Sequence, residues 1–236
     1  QSAFVDFGGG KNGFLSVDEM LAHRSMVSEA GVMPGQLSLS PGDYVMVQAT
    51  KEPTAAKGAR LSTNISLAGR FVVMTPTIDY VGISIKITDE TTRAKLTEIL
   101  TKVKPKGGGL IARTVCKEAK KSEIVDEVKR LEKLWDRIKA DYELSEGVSL
   151  IYSEGDLVYR SIRDMFNDNI EAIVCNDRAM CDKIAESAKL TQPKLSERIR
   201  YYDKKSDMLA DFNVLHQIDE ILLPKVQLPS GGSLVF

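Results

Sequence analysis

Short apolar runs dominate the first third of the chain, and the one at residues 3–7 alternates at period two. They predict β-strands over residues 3–7, 14–15, 44–48 and 59–67. Turns rich in glycine and proline separate these strands, as at residues 8–13 and 51–58, and a single helical stretch is predicted over residues 17–28. Short strands joined by Gly-rich turns, with one brief helix, favour a small β-barrel of the OB type.

The middle of the chain mixes strands with longer amphipathic helices. Strand patterns cover residues 70–74, 83–87, 110–115 and 148–152. The helical spacing of Leu96, Ile99 and Leu100 predicts a helix over residues 89–103. The longest helix is predicted over residues 121–140, where apolar residues recur at helical spacing and charged residues fill the positions between them.

The last third alternates helix and strand more regularly. Helices are predicted over residues 161–166, 178–187 and 213–221, and strands over residues 172–175 and 199–202. Strand, helix and strand in this order favour a small α/β unit. The chain opens on a strand without an initiator methionine and ends in a turn that enters a strand at residues 229–236. We therefore expect it to be a piece of a longer protein.

Composition narrows the functional classes only slightly. Apolar residues make up 43% of the chain and charged residues 28%, a balance typical of soluble globular proteins. We expect neither a membrane span nor a signal peptide, because the apolar runs are short and no basic segment precedes an apolar core. A net charge of −1 does not indicate a nucleic-acid partner, although a local basic surface can still bind phosphates. Cys116, Cys175 and Cys181 have no zinc-binding spacing and predict reduced, buried thiols in a cytosolic protein.

Aromatic and basic residues of the first third are candidates for contacting single-stranded nucleic acid. Phe4 and Phe14 bracket a Gly-rich turn and can lie on neighbouring strands, where exposed rings stack on bases. Lys51 and Lys57 belong to a later turn and are candidates for phosphate contacts. The alternative is that the phenylalanines are buried in the core, which is the commoner fate of this residue type.

Arg113 and Thr114 form a candidate phosphate-binding pair at the end of a predicted strand. A guanidinium matches phosphate oxygens and the neighbouring hydroxyl adds one hydrogen bond, but most such arginines are ordinary surface residues. Residues 104–109 lack the ending that a Walker motif requires, and His23 and His216 have no metal-ligand spacing. The carboxylates are scattered, without a cluster typical of magnesium sites. The residue pattern alone therefore predicts no more than a soluble globular α/β protein whose first third is compatible with an OB barrel.

The order of several longer motifs resembles the bacterial ribonuclease E/G family. The motifs AFVDFG at residues 3–8 and NGFL at 12–15 are similar to the family's RNA-binding barrel of the ribosomal S-one type. The motif KGARLSTNISLAGR at residues 57–70 is more specific and resembles the junction between that barrel and the family's five-prime sensor. Further motifs follow in family order, so the resemblance covers essentially the whole chain: MTP at 74–76, GLIART at 109–114 and LPSGGS at 228–233.

This resemblance implies an α+β, multidomain fold. Residues 1–63 are expected to form an S-one-type OB barrel without its first strands, and residues 64–158 an α/β five-prime sensor domain. Residues 159–221 are expected to belong to an RNase H-like domain, and residues 222–236 to begin the DNase I-like catalytic subdomain. The family's magnesium-binding aspartates come after Phe236, so we expect no catalytic or metal-binding residue in this chain.

The resemblance also assigns roles to individual residues. Phe4, Phe14 and Lys57 match barrel residues that hold the RNA strand near the scissile bond, and Lys51 matches a further basic contact.

A second set of residues matches the family's five-prime monophosphate pocket. Arg113 and Thr114 match the pair that grips the phosphate, and Gly69 and Val73 match residues that flank it. The chain departs from the family at residues 84–86, which read Ser-Ile-Lys where the family has Ser-Arg-Arg or Ser-Arg-Lys. Ile85 cannot donate the hydrogen bonds of the first arginine to the sensor or to RNA, and Lys86 is expected to replace it only in part.

For the full-length protein, the resemblance implies magnesium-dependent hydrolysis of single-stranded RNA in RNA processing and mRNA decay. We expect the present chain to recognise RNA without cleaving it and to bind no metal. The full-length protein is expected to be a cytoplasmic homo-oligomer. The alternative is a non-catalytic OB-fold RNA-binding protein, such as a translation or ribosome-associated factor, and the barrel alone does not separate the two.

Overall fold

The computed structural model describes residues 2–20, 39–165, 169–191 and 193–235. The chain is a mixed α+β structure with several small sheets, which confirms the α+β class. It divides into two compact units, Gln1–Glu154 and Gly155–Phe236. Within the described ranges, no helix is both long enough and apolar enough to cross a membrane.

The first sheet of the N-terminal unit has four short strands in the order β1-β2-β4-β3. They are β1 (Ser2–Val5), β2 (Gly13–Ser16), β3 (Gln48–Lys51) and β4 (Arg60–Ser62). The β2 and β4 strands run parallel, whereas β1 and β3 are antiparallel to their neighbours. Leu15 and Leu61 are buried on one face of the sheet together with Met20, which ends a 3-10 helix at Val17–Met20. The assignment of residues 1–63 to an OB barrel stays a prediction.

The second sheet of this unit has the order β5-β6-β8-β7 and is covered by two long helices. The strands are β5 (Leu67–Ala68), β6 (Val72–Thr75), β7 (Val81–Ile83) and β8 (Gly109–Ala112), and the helices are α1 (Glu90–Val103) and α2 (Lys121–Leu144). A 3-10 helix at Thr114–Glu118 joins β8 to α2. The Asp89 carboxylate caps α1 by accepting a hydrogen bond from Thr92 N at 2.7 Å. Leu100 and Ile124 pack with Val72 and Leu110 in the core between helices and sheet.

Gln48 connects the first sheet to the segment that enters the second. Its side-chain amide donates to Ser66 O at 2.9 Å and accepts from Ser66 N at 2.8 Å. Met46, two residues earlier, packs against the core of the second sheet, whereas Val47 packs against the core of the first. The two sheets are thus held together by side chains of one short segment.

The C-terminal unit contains the strand, helix and strand that the sequence predicts. Its elements are α3 (Leu157–Met165), β9 (Ile173–Cys175), α4 (Arg178–Thr191), a 3-10 helix (Pro193–Arg198), β10 (Ile199–Tyr201), α5 (Met208–Asp211), α6 (Val214–Ile221), β11 (Lys225–Gln227) and β12 (Ser233–Val235). The β9 and β10 strands are parallel and α4 lies between them in sequence, which confirms the α/β unit. The β11 and β12 strands form an antiparallel hairpin.

Several strand predictions are wrong in part or altogether. Residues 59–67 form two short strands, β4 and β5, and the strand predicted over 110–115 ends at Ala112. Residues 44–47 are not a strand, because their apolar residues face two different cores rather than one sheet face. The strand predicted over 83–87 ends at Ile83, because the backbone then turns and Ile87 N donates to Ser84 O at 3.0 Å. Residues 148–152 form no strand, and Leu150 there is 84% exposed. The helix predicted over 17–28 is described only through Met20; the rest of it, with His23, lies outside the described residues.

Candidate nucleic-acid interface

Phe4 and Phe14 lie side by side on the exposed face of the first sheet. They are directly opposite each other on β1 and β2, with ring centroids 5.9 Å apart in an edge-to-face arrangement. Phe4 is 72% exposed and Phe14 is 41% exposed, whereas Leu15 is buried on the other face. The alternative that these rings belong to the core is therefore wrong. Their contact with RNA stays a prediction.

Lys57 lies in a turn that contacts the turn between β1 and β2. Thr54 closes this turn: its N–H donates to Lys57 O at 2.8 Å and its hydroxyl accepts from Lys57 N at 3.1 Å. Lys11, from the β1–β2 turn, donates from Nζ to Ala55 O at 2.6 Å. Lys51 ends β3 and is exposed. Both predicted basic residues are therefore accessible, and Lys57 lies near the strand that carries Phe14.

Three backbone segments converge at one edge of the second sheet. Because β7 and β8 are parallel, their carboxyl ends meet at this edge, and β6 begins there because it is antiparallel to β8. Ser84 follows β7, Arg113 and Thr114 follow β8, and residues 69–71 lead into β6. The topology thus brings Gly69, Arg113 and Thr114 together, and their role in binding a phosphate stays a prediction.

Arg113 is bonded to the loop before β6 through both its backbone and its side chain. Its N–H donates to Phe71 O at 2.8 Å, and its Nη1 donates to Gly69 O at 2.6 Å. The Thr114 hydroxyl lies 3.0 Å from the Ser84 hydroxyl. Arg113 and Thr114 are both half-buried, so they are neither enclosed in the core nor fully solvated.

Glu127 on α2 holds the same loop from the core side. Its side chain is nearly buried, and its carboxylate accepts from Arg70 N at 2.8 Å, Phe71 N at 2.7 Å and Val72 N at 3.0 Å. Arg130 lies 3.8 Å from the same carboxylate. Sequence reasoning missed Glu127, although a signal exists: it stands among the apolar positions of the predicted helix. A carboxylate on a buried stripe indicates a partner inside the protein.

The turn after β7 carries the residue that departs from the family pattern. Arg93 holds this turn by donating from Nη1 to Ser84 O at 3.1 Å and to Ile87 O at 2.9 Å. Ile85, within the turn, is 89% exposed. Val73 is half-buried on β6, next to Val72, which is fully buried against the helices. Val73 therefore lies on the sheet face opposite the helical layer.

The three cysteines are free thiols, and their burial differs from the prediction at one position. Cys116 and Cys181 are buried, but Cys175 is only half-buried. Burial, with a smaller contribution from the Glu127 charge, raises the pKa of the Cys116 thiol to about 12. Among residues 2–20, 39–165, 169–191 and 193–235, no group of three or more His, Cys, Asp or Glu side chains is placed to hold a metal ion.

Comparisons with known proteins identify the family. The model of the Ribonuclease E/G family matches residues 66–236. Ribonuclease E of Nostoc sp. (strain PCC 7120) is 30% identical over 238 residues, covering 99% of this chain and 34% of that protein. Ribonuclease G of Escherichia coli (strain K12) is 28% identical over 242 residues, covering 100% of this chain and 49% of that protein. The chain thus spans about a third to a half of the length of these curated relatives. Since the family model covers well over half of its residues, the chain belongs to the ribonuclease E/G family.

Proposed function

We propose that this chain recognises single-stranded RNA for an endoribonuclease and distinguishes RNA that carries a five-prime monophosphate. The observation that carries the proposal is the convergence of Arg113, Thr114 and the Gly69 loop at one sheet edge. Membership of the ribonuclease E/G family supports RNA as the substrate.

In this proposal the first sheet belongs to an OB-type barrel that clamps the RNA strand. The exposed rings of Phe4 and Phe14 stack on bases, which is favourable for any base because each has a π-face. Lys51 and Lys57 neutralise nearby phosphates. Clamping the strand in one place holds the scissile bond close to the catalytic groups, so that the reacting groups no longer need to find each other by diffusion.

The sheet edge around Arg113 acts as the five-prime sensor. The bond from Arg113 Nη1 to Gly69 O orients the guanidinium, and phosphate oxygens match its planar set of donors. Thr114 adds a hydroxyl beside the guanidinium, and Val73 and Gly69 flank the pocket. We expect a monophosphate to be accepted and a triphosphate to be rejected.

Cleavage belongs to magnesium-binding carboxylates elsewhere in the whole protein. The described residues of the present chain do not fit a magnesium site, because they offer no cluster of ligand side chains. We propose that the chain on its own binds RNA without cutting it. The domain succession implied by the family completes the proposal: an OB barrel, a sensor, an RNase H-like segment and the start of a catalytic subdomain, in a cytoplasmic homo-oligomer.

Fluorescence anisotropy with a short unstructured RNA tests the proposal. The RNA is prepared with a five-prime monophosphate, triphosphate or hydroxyl, and the chain should bind the monophosphate form about tenfold to a hundredfold more tightly than the hydroxyl form. Arg113→Ala should abolish this preference. Arg137→Ala is the matched control, because Arg137 is 80% exposed on α2 and pairs only with its helical neighbour Asp141 among the described ion pairs.

Two results would contradict the proposal. Equal affinity for all three RNA forms would favour a non-catalytic RNA-binding module without a sensor. Robust cleavage in the presence of magnesium, retained through repurification of the chain, would disprove the assignment of catalysis to residues elsewhere.

A further inference from the structure

The pairing of the first sheet extends the line of the two phenylalanines across all four strands. Phe4 is opposite Phe14, and Phe14 is opposite Arg60. Arg60 is in turn opposite Lys51, which follows a register shift in β3. Directly opposite residues of neighbouring strands place their side chains on the same face. All four side chains are exposed, whereas Leu61, which follows Arg60, is buried on the other face. The exposed face therefore carries an aromatic half and a basic half in one continuous row.

We propose that Arg60 is a further RNA-binding residue, contacting a backbone phosphate next to the nucleotide that stacks on Phe14. This inference rests on the proposed function. Neighbouring strands are about 4.8 Å apart, so the Arg60 side chain starts one strand from the Phe14 ring and reaches the backbone of a nucleotide held there. A guanidinium binds phosphate through paired N–H donors, which Lys51, one strand further along, lacks.

Glu19 sets the direction of the Arg60 side chain. Arg60 Nη2 donates a hydrogen bond to Glu19 Oε1 at 3.2 Å. This bond uses one of the five N–H donors of the guanidinium. The backbone of Glu19 is itself fixed, because its carbonyl oxygen accepts from the N–H and the hydroxyl of Thr63, both at 2.8 Å. The Arg60 side chain remains 49% exposed, so the pair is accessible to a ligand.

Glu19 also competes with RNA for the same cation. Its charge offsets that of Arg60 and repels a phosphate that approaches from its side. A contact with RNA therefore predicts opposite effects for the two residues: loss of Arg60 weakens RNA binding, and loss of the Glu19 charge strengthens it. If the pair were only structural, the two substitutions would act in the same direction.

The experiment measures binding of a short unstructured RNA with a five-prime hydroxyl, so that the sensor is not engaged, over a series of salt concentrations. Arg60→Ala should weaken binding about fivefold to twentyfold and reduce the slope of log affinity against log salt by about 0.7, the value for one phosphate contact on a single strand. Glu19→Gln should strengthen binding about twofold to fivefold. Arg137→Ala removes a more exposed arginine from α2 and should change neither quantity. Arg60→Gln should show the same loss of slope and serves as the second variant if circular dichroism shows that Arg60→Ala is misfolded.

An unchanged affinity and salt slope in the folded Arg60 variants would overturn the inference, as would a weakening of binding by Glu19→Gln. The double variant Phe4→Ala/Phe14→Ala separates this failure from that of the proposed function. If the double variant loses binding and the Arg60 variants do not, only the role of Arg60 fails. If the double variant also binds as tightly as the wild type, RNA binding by this face is wrong altogether.

Discussion

The carboxylate of Glu127 fills the space that a side chain at position 69 would need. A Cβ on Gly69 would lie 2.6 Å from Cδ of Glu127 and 2.9 Å from the carbonyl oxygen of Val72. The same carboxylate accepts the three N–H groups that follow Gly69, and the Gly69 carbonyl accepts Nη1 of Arg113. A buried acid on a helix thus fixes the acceptor that orients the predicted phosphate-binding arginine.

Gly69→Ala should damage the five-prime sensor while leaving the barrel intact. The added methyl group must displace either Glu127 or the loop, which moves the carbonyl that holds Arg113. We expect the preference for five-prime monophosphate RNA to fall about tenfold, an effect of the size of one charge-assisted hydrogen bond. Affinity for five-prime hydroxyl RNA, measured on the same variant, is the control and should not change. Full retention of the preference would show that this loop does not position Arg113.

Glu127→Ala should strongly destabilise the N-terminal unit. It leaves three backbone N–H groups beside a nearly buried site without their acceptor, which costs about 3–5 kcal/mol in the free energy of unfolding. Urea unfolding followed by the fluorescence of Trp135, on the same helix, measures this loss. Glu143→Ala removes an exposed carboxylate from α2 and should cost less than about 0.5 kcal/mol. Equal unfolding midpoints for the two variants would contradict the role of Glu127.

Ile85→Arg should strengthen five-prime sensing. Ile85 is 89% exposed, so replacing it removes no core packing, and it follows Ser84, whose hydroxyl contacts Thr114. An arginine there restores the residue type that the family pattern carries and adds a donor beside the proposed pocket. We expect the preference for monophosphate RNA to rise about threefold to tenfold. Ile85→Gln, which adds polarity without charge, should not reproduce this gain; a gain of the same size would mean that charge is not the cause.

Local signals in the sequence were sufficient to predict those elements that depend on residues close together in the chain. The helix over residues 89–103 was predicted because apolar residues at helical spacing lie within one short segment, and the structure places it at Glu90–Val103. The pairing of Phe4 with Phe14 could be anticipated because only a turn separates their strands. Their exposure could not be settled from alternation, since alternation does not say which face meets the core.

Contacts between segments that are distant in sequence could not be predicted from the sequence pattern. Glu127 and the loop at residues 70–72 are more than fifty positions apart, and nothing local to either indicates the other. Arg60 lies on the same sheet face as Phe14 only because β4 pairs in parallel with β2. That pairing depends on how the whole sheet is assembled. The Arg113 and Thr114 assignment came from family resemblance, because an arginine at a strand end is common on protein surfaces.

Asp211 accepts three side-chain hydrogen bonds in the C-terminal unit. Its Oδ2 accepts from Tyr202 OH at 2.6 Å, Lys204 Nζ at 3.2 Å and Ser206 Oγ at 3.0 Å. These hydrogen bonds, with that of Tyr202 the largest, lower the pKa of Asp211 below its ordinary value of 3.8. A carboxyl group whose pKa is lowered by folding stabilises the folded state when ionised. That contribution is complete above the ordinary pKa and is lost as the pH falls through the lower, folded value.

Asp211→Asn should therefore remove part of the acid sensitivity of this unit. At neutral pH the variant should be less protected from amide hydrogen exchange at α5 than the wild type, because the ionised acceptor is gone. As the pH falls below about 4, the wild type loses the same contribution and the two proteins should converge. Asp219→Asn on α6 is the control, since Asp219 is exposed and has no described hydrogen bond to its side chain; it should follow the wild type throughout. A difference between Asp211→Asn and the wild type that stays constant from neutral to acidic pH would show that ionisation of Asp211 does not stabilise the fold.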